Sequence, residues 1–174
     1  MKAKKYLGQY FLNSSKALEE IVSGARLTPS DVVLEIGPGK GILTEKLLSR
    51  AKKVIAVEKD RELIEFLKVN FSNAIKNGKM ILVEEDILDF IPENFGLHAG
   101  EYKLVANIPY YITGEILRKF VGGKTFPSLA VLLVKKDVAD RINEKNLKGR
   151  ILSVSLREET SLSSVSMLSQ VTAM

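Results

Sequence analysis

Asp31-Val32-Val33-Leu34-Glu35-Ile36-Gly37-Pro38-Gly39-Lys40-Gly41 is an apolar, β-branched run that ends in an acid and three alternating glycines. The segment 31–36 has the length and composition of a strand buried on both faces. Glycine at every second position beyond it lets the chain turn tightly and lets a ligand approach the backbone closely. Leu43, Leu47 and Leu48 then mark a helix. Strand, glycine loop and helix in that order form the opening unit of an open α/β sheet, whose ligands bind beyond the carboxyl ends of the strands.

The spacing of the loop narrows the ligand. A dinucleotide fingerprint would need its third glycine at position 42, which is Ile42. A P-loop would need Gly-Lys-Ser/Thr, and none follows. A pyrophosphate favours bare amides at a helix N-terminus. Here Glu35 stands beside the loop, and an acid there favours a ligand with a cationic end. S-adenosyl-L-methionine carries both an ammonium and a sulfonium, which makes Glu35, Gly37, Gly39 and Gly41 candidate cofactor-binding residues.

Outward from this segment, helical and strand patterns alternate. Helical spacing occurs over 16–25, 61–75, 114–121 and 136–143, and short apolar runs occur at 53–57, 80–83, 102–106, 129–134 and 151–156. The pattern predicts βαβ units and a mostly parallel sheet covered on both faces. Two further acids sit where strands end. Glu58, in Val57-Glu58-Lys59-Asp60, follows the second strand and can accept both hydroxyls of a ribose. Asp86, in Glu84-Glu85-Asp86-Ile87, follows the third and can accept from an adenine amine while Ile87 offers its N–H and an apolar surface. Each acid alone reads as a solvated strand end. Three acids after three successive strands, with Lys59 beside one of them, read as a cofactor site.

After the fourth strand come Asn107-Ile108-Pro109-Tyr110. The Asn107 amide oxygen and the Ile108 carbonyl, held by Pro109, can accept hydrogen bonds from an exocyclic amine, and the Tyr110 ring can stack on a flipped-out base. An adenine N6 lone pair is delocalised into the ring, so acceptors that favour a pyramidal nitrogen make it a better nucleophile. These four are the candidate catalytic residues, with Asn107 also facing the cofactor.

Composition bounds the class. The 174 residues are 45% hydrophobic and 27% charged, enough for one globular domain with its own core. The absence of cysteine excludes disulfides and thiolate chemistry, and the single histidine, His98 in a loop-like stretch, argues against a multi-histidine metal site. No segment is long and apolar enough to span a membrane, and Met1-Lys2-Ala3-Lys4-Lys5 precedes no secretory apolar stretch, so a cytoplasmic protein is expected. The net charge of +5 leans toward nucleic acid, with Lys4, Lys5, Lys135, Lys136 and Arg141 as candidate RNA contacts. Asp137, Asp140 and Glu144, interleaved with the second cluster, fit an ordinary solvated helix equally well.

Leu7-Gly8-Gln9-Tyr10-Phe11-Leu12, the Glu35 to Gly41 loop, Val57 to Asp60, Glu85-Asp86-Ile87 and Asn107 to Tyr111 follow one another in an order and spacing that resembles the KsgA-type ribosomal RNA adenine dimethyltransferases. The resemblance runs from about Lys4 to about Leu156. It implies a class I, Rossmann-like methyltransferase fold using S-adenosylmethionine. Gln9, Phe11 and Leu12 would then help close the cofactor pocket. The chain departs from the family at Tyr10, where Asn or His is usual, and at Lys135, where Gln is usual.

The implied domain plan is a catalytic domain over 1–158, with 1–15 as its cofactor-closing segment, and a tail over 159–174. The family continues with a Phe-x-Pro-x-Pro-Lys segment, a closing strand and a small helical domain, none of which this sequence contains. The resemblance therefore implies a chain cut short, which binds cofactor but methylates weakly. The expected substrate is a pair of adjacent adenines in the 3′-terminal hairpin of small-subunit rRNA, within an immature small ribosomal subunit. The expected state is a monomer with no metal and no membrane contact. Three alternatives stand beside this. They are an erythromycin-resistance-type enzyme acting on large-subunit rRNA, a catalytically impaired RNA-binding assembly factor, and a small-molecule methyltransferase.

Overall fold

Among the described residues six strands form one sheet: β1 (Val32–Ile36), β2 (Lys53–Glu58), β3 (Met80–Glu84), β4 (Lys103–Asn107), β5 (Leu129–Lys135) and β6 (Leu152–Arg157). The structure is a computed structural model that describes residues 15–108, 110–135 and 152–157. The strand order is β3-β2-β1-β4-β5-β6, and every pairing is parallel. The sheet is thus more uniform than "mostly parallel" predicts. The strands lie within a residue or two of the expected positions, and the described helices α1 (Ser15–Gly24) and α2 (Ile42–Arg50) occupy the expected stretches.

The period of two along each strand divides the core into two layers. Leu34, Ile36, Ile55, Val57, Leu104, Ala106 and Leu132 face one side and pack with Phe90, Tyr102, Ile116 and Phe120. Val33, Val54, Ala56, Val105, Val131 and Leu133 face the other and pack with Ile21 and Val22 of α1 and Leu43 and Leu47 of α2. Full burial of such side chains contributes about 1.5–3 kcal/mol each, so this double-sided packing is the main source of the fold's stability. The same alternation sends Glu35 to the face covered by α1 and α2, where it is almost fully buried.

Two expected helices differ in form. The helical period over 61–75 divides into α3 (Arg61–Asn70) and α4 (Ser72–Lys76), with Phe71 between them at φ −111°, ψ 21°. The Asn70 amide donates to the Phe66 carbonyl at 2.7 Å, a side-chain bond that competes with the helix ladder. The Phe71 ring turns in against the glycine loop. The expected helix over 114–121 is compound: a 3₁₀ turn (Tyr110–Ile112), a short α5 (Thr113–Ile116) and a π turn (Leu117–Val121). Gly122 and Gly123 end it. A Cβ at Gly123 would lie 2.0 Å from the Lys119 carbonyl, so no side chain fits there. The helix expected over 136–143 and the tail beyond 157 lie outside the described residues.

The chain runs outward from β1 to β2 and β3, then returns to place β4 on the other side of β1. That reversal is the switch point at which open sheets leave a crevice beyond their carboxyl ends. The register sets Glu35 beside Val105 and Ile36 beside Ala106, so the glycine loop and Asn107 leave the sheet side by side.

Candidate functional site

Four strand ends build the site. β1 supplies the glycine loop, β2 supplies Glu58 and Lys59, β3 supplies Asp86 and Ile87, and β4 supplies Asn107 and Ile108. Gly37 prolongs the sheet, its N–H donating to the Val57 carbonyl at 2.9 Å. Gly37, Gly39 and Gly41 all have positive φ. Gly41 shows most plainly why the position takes no side chain: at φ +80°, a Cβ there would lie 2.3 Å from the Phe71 ring. Gly41 also stands at the N-terminal end of α2, so the loop feeds directly into that helix.

Glu58 is 7% exposed and fixed by three backbone donors. The N–H groups of Lys59 and Asp60 reach Oε1 at 3.0 Å each, and that of Gly39 reaches Oε2 at 3.3 Å. The acid therefore braces the glycine loop from the neighbouring strand. Burial raises its pKa, the three N–H groups lower it, and the charge of Asp60 raises it; the net direction is upward. Asp60 caps α3, accepting from the Glu62 N–H at 3.0 Å.

Asp86 forms a turn beyond β3. Its Oδ1 accepts from the Leu88 N–H at 3.0 Å and its Oδ2 lies 3.3 Å from the Lys59 Nζ. The Asp86 side chain is 36% exposed, so it stays open to solvent while these two contacts fix its geometry. Ile87 is buried in the same apolar layer as Ile108. Asn107 is half-buried at the end of β4, and the Ile108 side chain is buried.

Glu35 has no counterpart elsewhere in the described chain. Both its carboxylate oxygens are buried without a hydrogen-bond partner, as is the Thr44 hydroxyl. Burial pushes its carboxyl up to about 8; Thr44 moderates this without forming a well-aligned bond, and the charge of Glu58 adds to it. Native interiors seldom leave a carboxyl so unsatisfied. Such a group behind a glycine loop suits a cationic ligand group, directly or through water. A buried carboxyl and two further acids at successive strand ends fit the chemistry of S-adenosylmethionine, which carries cationic, hydroxyl and amine groups.

The structure thus brings together Glu35, Gly37, Gly39, Gly41, Glu58, Lys59, Asp86, Ile87, Asn107 and Ile108. Gln9, Phe11, Leu12, Lys4, Lys5, Pro109, Lys136 and Arg141 lie outside the described residues. Tyr110 and Lys135 are described in their backbone only, in the 3₁₀ turn and at the end of β5. Two residues that abut the glycine loop and Glu35 carry no obvious motif: Thr44 and Phe71. Thr44 does leave a trace, a polar residue within the apolar stripe of Leu43, Leu47 and Leu48. Among the described residues no group of three or more His, Cys, Asp or Glu could hold a metal, and no helix is long and apolar enough to cross a membrane.

Relatives place this geometry. Ribosomal RNA small subunit methyltransferase A of Dehalococcoides mccartyi is 45% identical over 157 residues, covering 90% of this chain and 53% of the relative. The protein of the same name from Clostridioides difficile is 41% identical over 145 residues, covering 82% and 49%. The chain spans about half the length of the curated relatives it matches. Among solved structures, a dimethyladenosine transferase from Plasmodium falciparum superposes with a TM-score of 0.64 at 31% identity, covering 77% of this chain and 46% of that one. The 23S rRNA methyltransferase ErmE superposes with a TM-score of 0.67 at 28% identity, covering 80% and 53%. The fold is the Rossmann-like fold of these methyltransferases. The model of the family described as ribosomal RNA adenine dimethylase matches residues 1–171, and the chain belongs to that family.

Proposed function

We propose that this chain is the cofactor-binding and catalytic part of an S-adenosylmethionine-dependent rRNA methyltransferase that dimethylates N6 of two adjacent adenines in the 3′-terminal hairpin of small-subunit rRNA. The observation that carries this reading is the switch-point crevice. Along the strand order β3-β2-β1-β4, its rim carries Asp86, Glu58, the unsatisfied buried carboxyl of Glu35, and Asn107-Ile108. The relatives named as small-subunit enzymes favour the small subunit as target. The likeness to ErmE keeps large-subunit rRNA as the second reading.

Glu35 would hold the cationic end of the cofactor, Glu58 its ribose and Asp86 with Ile87 its adenine, with Lys59 paired to Asp86. The bound sulfonium supplies an electrophilic methyl group. Asn107 Oδ1 and the Ile108 carbonyl accept from the target amine and aim its lone pair, while Tyr110 stacks on the base and Pro109 fixes the turn. Orientation of two bound reactants supplies much of the acceleration. The two acceptors also stabilise the positive charge that grows on nitrogen. No side-chain base is required, because the alkylated nitrogen is acidic and loses its proton to water.

Residues 1–158 form the catalytic domain in this proposal, with 1–15 closing over the cofactor and 159–174 as a tail. Lys4, Lys5, Lys135, Lys136 and Arg141 contact the phosphate backbone of an immature small subunit, and the protein acts as a cytoplasmic monomer. Calorimetric titration with S-adenosylmethionine, followed by mapping of methylated adenines in both rRNAs, tests it. Saturable binding and label confined to small-subunit rRNA are expected. Absence of binding by the folded chain would overturn the cofactor assignment, and label in large-subunit rRNA would select the second reading.

A further inference from the structure

Lys119 lies on the π turn that follows the Asn107 to Tyr110 segment, yet its ammonium reaches back across the fold. Its Nζ donates to the Leu88 carbonyl at 2.5 Å, a bond between groups 31 residues apart. Leu88 is the residue whose N–H closes the Asp86 turn at 3.0 Å. The Asp86 turn is therefore held at both ends, by Lys59 at its carboxylate and by Lys119 at the carbonyl two residues on. The side chain is half-buried, and its Nζ stands 5.7 Å from the centroid of the neighbouring Phe120 ring. Burial pushes its pKa down, and the charges of Asp89, Glu85, Asp86 and Glu93 oppose this only in part, so the net direction is downward.

The backbone there is unusual as well. A π turn shifts the helix by one residue, and such turns recur at functional sites. Here it directs Leu117, Phe120 and Val121 into the apolar layer that also contains Ile87 and Ile108, while Lys119 remains able to reach Leu88. Gly122 closes it, donating to the Leu117 carbonyl at 2.9 Å. The charge-assisted hydrogen bond to the Leu88 carbonyl adds a directional constraint to this apolar packing.

We propose that Lys119 is a positioning residue that couples the adenine-binding turn at Asp86 to the helical segment 113–121 that follows the target-base motif, so that cofactor binding orders both segments together. The inference rests on the assignment of Asp86 and Ile87 to the cofactor adenine under the proposed function. It assigns no chemical step to Lys119. A charged donor in that position serves by holding the Leu88 carbonyl.

Hydrogen exchange of the 174-residue chain with and without saturating S-adenosylhomocysteine tests it, because the readout is local. In the wild type the ligand should slow exchange over 86–90 and also over 113–121, by roughly five-fold or more in the second segment. In Lys119→Met, slowing over 86–90 should persist while that over 113–121 is lost, and Lys119→Arg should restore it. Circular dichroism of each variant identifies misfolding, and Lys119→Gln replaces the methionine variant if that one fails to fold. Equal spread of protection in wild type and Lys119→Met would overturn the coupling role, since packing through Ile87 and Ile108 would then suffice. Binding with protection confined to 86–90 in the wild type would also overturn it, leaving the cofactor assignment intact. Absence of binding in the wild type would remove the assignment and the coupling with it.

Discussion

Replacing Glu35 by glutamine should convert a protein whose stability declines with rising pH into one far less sensitive to it. Glu35 is buried with neither oxygen hydrogen-bonded. Burial moves its carboxyl from the ordinary value of 4.5 up to about 8. Between those two pH values the folded protein keeps a proton that the unfolded chain has released. Stability therefore falls as pH rises across that window, by ~1.4 kcal/mol per unit, and levels off above about pH 8. The full displacement corresponds to roughly 5 kcal/mol, a ceiling, because a charged buried carboxylate draws in water and relaxes its surroundings. A loss of about 2–5 kcal/mol specific to Glu35 is expected. Urea unfolding from pH 5 to 9 without added ligand reads this directly, as the difference between wild type and Glu35→Gln at each pH. Taking the difference removes most of the contribution of Glu58, whose pKa is raised as well. Saturating S-adenosylhomocysteine should flatten the wild-type profile, because its ammonium favours the ionised acid. A wild-type minus variant difference that stays constant within about 0.5 kcal/mol across the range would refute the reasoning.

Gly41→Ala combines a Cβ 2.3 Å from the Phe71 ring with a left-handed backbone, so denaturant unfolding should show a loss of about 2–3 kcal/mol. Asp86→Ala removes an acceptor together with its turn to Leu88 and should weaken S-adenosylmethionine binding roughly ten- to hundred-fold by calorimetry, whereas Asp86→Asn, which keeps Oδ1 for Leu88, should preserve the melting temperature better. Lys103 donates to Asp31 at 2.9 Å and to the Arg26 carbonyl at 2.6 Å in a partly buried site. Burial pushes the Asp31 pKa up, but the bonds from Lys103 and Thr28 outweigh it and hold the carboxyl below 3.8. Its stabilisation is therefore present above pH 3.8 and lost as pH falls through the lowered value, so Lys103→Met should lower neutral-pH stability by about 1–3 kcal/mol and shrink that acid-side loss in urea titrations.

The strands were legible because both faces of a central parallel sheet are buried, which writes each strand as a short apolar run such as Val32–Ile36. The three acids proposed for the cofactor stand out for the complementary reason: Glu35 interrupts one such run, Glu58 ends another and Asp86 follows a third. Phe71 misled the helical count because its apolar side chain satisfies the period of 3.6 whether or not the backbone stays helical; the break depends on Asn70 and on the approach of the glycine loop, a tertiary contact. The π turn was invisible for a similar reason, since one residue of slippage leaves Leu117, Phe120 and Val121 apolar in either form. Lys119 looks like any surface lysine in sequence, because its partner is a backbone carbonyl and backbone carbonyls have no sequence identity.

The position of β1 also orders events in time. Val33 pairs with Val54, 21 residues on, and with Lys103, 70 residues on. Contacts between distant residues carry the larger loop-closure cost and form late. The half of the sheet from β1 to β3 holds Glu35 and Glu58, with Asp86 in the turn beyond it, and is contiguous in the chain, so its pairings can form as the polypeptide leaves the ribosome, before Asn107 has arrived. A ligand that recognises those three acids would then act on a nascent protein, favouring the β1–β3 half and preparing the edge on which β4 docks.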